Sequence, residues 1–243
     1  MPNRSATTGA KWPATVIFDF DGVIVNSEPL HFRAFEEVAA AEKIELTEEE
    51  YYRDLIGFDD KGAWKHLFAA RGRELDPKAF LRVMTRKTEV MRELIGRRQY
   101  KALPGAEECI RGLWRDYPLA ICSGALREEI ETMLEGVNLR DCFGVIVAAE
   151  DVPVGKPDPS GYLLAAQLVG EKLRRRIEPK DALVVEDAPK VVKSVKEAGF
   201  PALTITSSHS AAQLLEAGAD WIVGSLNIEE LKAVVPELRF LTS

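Results

Sequence analysis

From Ala102 onward, short apolar runs alternate with longer amphipathic ones. Leu119-Ala120-Ile121-Cys122, Gly144-Val145-Ile146-Val147, Ala182-Leu183-Val184-Val185, Ala202-Leu203-Thr204-Ile205 and Trp221-Ile222-Val223 are short, apolar and rich in β-branched residues, and they predict strands. Between them the pattern predicts helices over 106–114, 126–134, 161–168, 191–198 and 211–216. Such alternation implies a parallel sheet with helices on both faces, an α/β, doubly wound, Rossmann-like core. Val16 to Phe18 supplies one more, central strand. The stretch before Ala102 differs. Residues 28–41, 48–55, 60–71 and 77–95 read as helices with charged outer faces, and no strand pattern interrupts them. The expected organisation is therefore an α/β core over 14–28 and 100–243, a helical cap domain inserted over 29–99, and a disordered tail over 1–13.

Composition narrows the class. A chain of 243 residues with 46% hydrophobic content holds a full core, and a formal net charge of −7 argues against nucleic-acid or acidic-membrane partners. The basic runs Arg97-Arg98 and Arg174-Arg175-Arg176 suit solvated helix C-termini. Cys109, Cys122 and Cys142 are odd in number and lack C-x-x-C spacing, which fits buried thiols in a reducing compartment. With no signal peptide or membrane-length apolar run visible, a cytoplasmic location is expected.

The chemistry gathers at predicted strand ends, where open α/β sheets bind their ligands. The first strand ends in Asp19-Phe20-Asp21-Gly22. Residues i and i+2 of a strand share a side, so Asp19 and Asp21 can serve one site, and Gly22 lets the backbone turn beside it. The second ends in Ser123-Gly124, which reads either as a helix cap or as an anion-binding turn. Lys156 follows the third, in a loop stiffened by Pro153 and Pro157, with Asp158-Pro159 as N-cap and first helical residue; it reads as a surface lysine or as a site cation. The fourth ends in Glu186-Asp187, either a cap before Pro189 or part of a cation site, since clustered carboxylates repel. Carboxylates, one hydroxyl and one lysine on a single edge are equipment for phosphate chemistry with a hard divalent cation. His31, His66 and His209 are scattered without zinc-ligand spacing. Cys122 and Arg127 are one residue too close for a cysteine phosphatase loop, and no nucleotide loop occurs.

In order and spacing, Asp19-Phe20-Asp21-Gly22, Ser123, Lys156-Pro157 and Glu186-Asp187 resemble the four motifs of the haloacid dehalogenase superfamily. Residues 27–34 resemble the cap entry of its branch containing β-phosphoglucomutases and phosphoglycolate phosphatases. The resemblance implies roles. Asp19 would be the nucleophile forming an aspartyl-phosphate, and Asp21 the general acid and base. Asp19, the backbone carbonyl of Asp21 and Asp187 would hold Mg²⁺, with Glu186 as a further or water-mediated ligand. Ser123, Gly124 and Lys156 would hold phosphoryl oxygens. Three functions remain open at this point: a Mg²⁺-dependent phosphatase for a small phosphorylated metabolite such as phosphoglycolate or a sugar phosphate, a phosphosugar mutase, and a catalytically idle binding protein. Leu126 stands where mutases carry a lysine, which favours the phosphatase; His31 is compatible with either enzyme. In the cap loop, Phe58 and Lys61 are candidate specificity residues, with packing between cap helices and simple solvation as the alternatives. A monomer or weak dimer is expected.

Overall fold

The computed structural model describes residues 12–56, 58 and 60–240. They divide into two compact units: 12–26 together with 102–240, and Ser27–Lys101. The first begins with strand β1 (Thr15–Phe18). The second contains α1 (Glu28–Ala41), α2 (Glu48–Glu50) running into a π-helical turn at Tyr51–Leu55, α3 (Asp60–Ala70) and α4 (Pro77–Gly96). The first unit resumes with α5 (Ala106–Trp114), β2 (Leu119–Cys122), α6 (Arg127–Gly136), β3 (Phe143–Val147), α7 (Ser160–Leu173), β4 (Ala182–Glu186) and α8 (Pro189–Glu197). It closes with β5 (Ala202–Ile205), α9 (Ala211–Glu216), β6 (Trp221–Val223) and α10 (Ile228–Val234).

All strand pairs are parallel, in the order β3-β2-β1-β4-β5-β6. The order reverses between β1 and β4, which opens a crevice at their carboxyl ends. β1 is central, with Val16, Ile17 and Phe18 fully buried, so it reads as a continuous apolar run rather than an alternating one. Tyr162 of α7 packs edge-on against Phe200, and Val191, Val192 and Val195 bury one face of α8 in the same core.

The helical unit is built on amphipathic stripes. Leu30, Ala34, Phe35 and Val38 form the buried face of α1, at the helical repeat. In α4 the Asp76 side chain accepts from the Ala79 N–H, and Pro77 suits the first turn. The buried face of α4 runs Ala79, Val83, Lys87, Val90, Met91 and Leu94; a lysine occupies a core position. Tyr51 is buried and donates its hydroxyl to Glu28 at 2.6 Å.

Several sequence expectations change. Residues 1–11 of the expected tail lie outside the described residues, but Trp12 and Pro13 belong with the core. The Trp12 indole N–H donates to the Lys180 carbonyl at 3.0 Å and its ring meets Trp221, while Pro13 is buried. α7 starts at Ser160, one residue after the start implied by the Asp158-Pro159 cap, because Pro159 is its N-cap and Asp158 instead accepts from the Ser160 N–H. α10 was not foreseen: its side-chain-capped start at Asn227 precedes a segment whose only buried helical residue is Leu231, too weak a stripe to register as a period.

Candidate active site

Three segments meet at the β1/β4 crevice: the end of β1, the loop before α7 and the end of β4. Asp19 follows β1, and its backbone N–H donates to the Val185 carbonyl of β4 at 2.9 Å. Lys156 lies in the loop before α7, and its ammonium bridges Asp19 Oδ1 at 2.6 Å and Glu186 Oε1 at 2.7 Å. Asp19, Glu186 and Asp187 are buried, and each offers a carboxylate oxygen within 4.8 Å of the others. Three carboxylates against one ammonium leave the fully ionised cluster at −2. That excess, presented by oxygen donors alone, fits a hard divalent cation such as Mg²⁺.

The electrostatics show the same strain. Burial, reinforced by Glu186 and Asp187, pushes the Asp19 carboxyl well above the ordinary carboxylate range, and Lys156 opposes it. Asp187 is raised by burial first and then by Glu186, with Ser208 and Ser207 pulling the other way. Burial pulls the Lys156 ammonium down, but Asp19 and Glu186 outweigh it and hold the group above the ordinary lysine value. Burial pushes the Cys122 thiol up to about 12, so it is no nucleophile at neutral pH.

Glu186 is fully engaged by protein donors. Oε1 takes Lys156 and the Tyr162 hydroxyl at 2.9 Å; Oε2 takes the N–H groups of Asp187 and Ala188, each at 2.8 Å. A carboxylate has about four acceptor sites, and here all are used. Glu186 is thus the anchor of Lys156 and of the chain turn into α8, and its charge adds to the pull on a cation. Tyr162, whose ring also lies 5.0 Å from the Lys156 ammonium, was not foreseen from sequence; its aromatic position in α7 looks like ordinary core.

The turn after β1 contains Asp21, half-buried, and Gly22, whose N–H donates to the Val25 carbonyl at 2.9 Å. Gly22 has φ +78°, and a Cβ there would lie 2.4 Å from Asp187 Oδ2. Gly22→Ala is therefore expected to lose about 1–2 kcal/mol from the backbone alone and to displace Asp187, lowering both melting temperature and turnover. Wild-type values for both would show that Asp187 has room to retreat.

Ser123 ends β2. Its Oγ accepts from the Ala125 N–H at 3.0 Å, while α6 is capped at Leu126. The serine is not the helix cap, and its hydroxyl proton can be given to an incoming oxygen. Gly124 is exposed, with open space where a Cβ would stand.

The remaining candidates lie in the helical unit. His31 is held by the buried Lys87, which donates to Nδ1 at 2.9 Å and to both oxygens of Asp60 at 2.8 and 2.7 Å. Burial, then the Lys87 charge, keeps the imidazole well below its usual pKa; it is neutral, with its proton on Nε2. Phe58 is 51% exposed and stacks on His66 rather than packing between helices. Lys61 is exposed on α3. Gly57 and Asp59 of the same loop lie outside the described residues.

The sequence comparison supplies the family of this parallel sheet with acids and a lysine at its switch point. The family model of haloacid dehalogenase-like hydrolases matches residues 13–199, and the chain belongs to that family. A phosphorylated carbohydrates phosphatase of Thermotoga maritima is 30% identical over 227 residues, covering 92% of this chain and 98% of that protein. The fructose-1-phosphate phosphatase YqaB of Escherichia coli is 28% identical over 195 residues, covering 79% and 96%. Among solved structures, CbbY from Rhodobacter sphaeroides in complex with phosphate superposes with a TM-score of 0.74 at 25% identity, covering 93% and 98%. The protein is an enzyme of the phosphatase type. No helix among the described residues is long and apolar enough to cross a membrane.

Proposed function

We propose that the protein is a Mg²⁺-dependent phosphatase for small phosphorylated metabolites of the sugar-phosphate class, working through an aspartyl-phosphate. The observation carrying this reading is the joining of Asp19, Lys156, Glu186 and Asp187 in one buried cluster at the switch point. Relatives named for phosphorylated carbohydrates and fructose 1-phosphate support the substrate class.

Phosphoryl transfer is mostly positioning and charge stabilisation. A carboxylate oxygen of Asp19 attacks phosphorus, and the ester oxygen departs with a proton from Asp21. Water then attacks the aspartyl-phosphate, giving its proton to Asp21 and releasing phosphate. Lys156, the Ser123 hydroxyl and the Gly124 N–H hold the transferring oxygens. Mg²⁺, which Asp19, Asp187 and the Asp21 carbonyl would hold, supplies the positive charge that lets one anion approach another.

Hydrolysis is favoured over mutase chemistry by the surroundings of Ser123. Leu126 is apolar, and the Arg127 guanidinium is committed to the Ile146 carbonyl at 3.0 Å and to Asp151, so neither offers a second phosphate anchor.

A panel of phosphorylated metabolites assayed for phosphate release, with Mg²⁺ and with chelator, tests the reading. β-Glucose 1-phosphate with trace β-glucose 1,6-bisphosphate, assayed for glucose 6-phosphate, tests the mutase. Metal-dependent release is expected. Isomerisation without release would replace the hydrolase by the mutase, and silence in both arms would leave only binding. Asp21→Asn is expected to slow the chemical step by about 10²–10⁴-fold, and an unchanged single-turnover rate would remove Asp21 as acid and base.

A further inference from the structure

Asp187 is flanked by a loop that no motif marks. β5 pairs with β4 in parallel, with Thr204 opposite Glu186, so the segment leaving β5 runs beside the residue that follows Glu186. The loop is pinned at both ends. The Thr206 N–H donates to the Val223 carbonyl at 3.1 Å, and Ser210 caps α9 in a reciprocal arrangement with Gln213. Only Ser207, Ser208 and His209 lie between those anchors.

Both serine hydroxyls reach the same atom. Ser207 Oγ lies 3.1 Å from Asp187 Oδ2, and Ser208 Oγ bonds to that oxygen as well. Gly22 closes its remaining side, at a distance that leaves no room for a Cβ. An ionised carboxylate only accepts, so each hydroxyl donates to it. Ser208 has a single proton to give, and its other contact is His209 Nδ1 at 2.9 Å. The imidazole must therefore donate from Nδ1, which fixes the hydroxyl rotor of Ser208 toward Asp187.

We infer that Ser207 and Ser208 are positioning residues for the metal carboxylate Asp187, saturating Oδ2 so that Oδ1 faces the ion. The inference rests on the magnesium reading above. Both serines are exposed. Their removal thus acts on carboxylate orientation far more than on folding. Hydrogen-bond partners of metal-ligating carboxylates are worth about 10–100-fold in metal affinity.

The test titrates the metal-free, full-length protein with Mg²⁺ by calorimetry and with Mn²⁺ by electron paramagnetic resonance. The wild type, Asp187→Asn, Ser207→Ala, Ser208→Ala, the double alanine variant and the Ser207→Thr/Ser208→Thr pair are compared, each with a melting temperature measured without metal. The double alanine variant is expected to bind either ion about 10–100-fold more weakly at a nearly unchanged metal-free melting temperature. The single variants fall between, and the threonine pair recovers most of the affinity. Wild-type affinity in the double alanine variant would overturn the positioning role alone. A wild type that binds no ion, or an Asp187→Asn variant that binds as the wild type does, would overturn the magnesium reading and this inference with it.

Discussion

Asp19→Asn is expected to abolish phosphate release, by at least about 10⁴-fold, the scale on which losing a covalent nucleophile acts in other enzymes, without unfolding the protein. The carboxamide is a poor nucleophile, and nothing else in the cluster can replace it: Glu186 is saturated by four donors, and Asp187 has its own serine donors. Stability moves the other way. Asp19 is buried beside two other acids, which with desolvation raise its pKa, so its charge works against the metal-free fold. Removing that charge leaves Lys156 paired with Glu186. The metal-free melting temperature is therefore expected to hold or rise. Burst-phase phosphate measurement with calorimetric melting checks both halves. Activity within about tenfold of the parent would strip Asp19 of its role, and a collapsed melting temperature would mean that its hydrogen bonds outweigh the repulsion.

Lys156→Met is expected to be the most damaging single change to stability as well as to turnover. The ammonium is the cation that touches both Asp19 and Glu186, and removing one partner of a buried ion pair typically costs about 3–5 kcal/mol. The loss falls at the lower end, because buried carboxylates answer by taking up protons. This gives the variant a signature in pH. Asp19 and Asp187 already have folded pKa values above their unfolded ones, and loss of Lys156 raises Asp19 further. Carboxylates with raised folded pKa destabilise the fold above that pKa, and the penalty fades as pH falls toward the unfolded value of about 4. The gap in melting temperature between wild type and variant should thus be widest near neutrality and narrow on acidification; added Mg²⁺ should narrow it too. A gap independent of both pH and Mg²⁺ would assign Lys156 a packing role on Tyr162 instead.

Much of this was legible in local pattern. Leu119–Cys122 and Ala202–Ile205 form strands where the apolar runs lie, because a strand buried on both faces needs an unbroken run. The end of such a run is also the sheet's carboxyl edge, so acids there announce themselves. Lys87 was missed although its place on the stripe of α4 was a signal: a lysine at a core spacing implies a buried partner, here His31 and Asp60. Tyr162 and the Ser207-Ser208 pair carried no such signal. They stand 20 or more residues from the carboxylates they serve, and their own surroundings look like ordinary core and ordinary loop.

The chain by itself determined most of the elements, the central place of β1 and which acids and which lysine stand at the strand ends, because hydrophobic period and strand-end chemistry are local properties. Only the tertiary structure decided the strand order, the saturation of Glu186 by Tyr162 and backbone donors, and the two hydroxyls trained on Asp187. These depend on which carboxyl ends become neighbours when β4 pairs with both β1 and β5, and contacts between distant segments leave no periodic trace in either one.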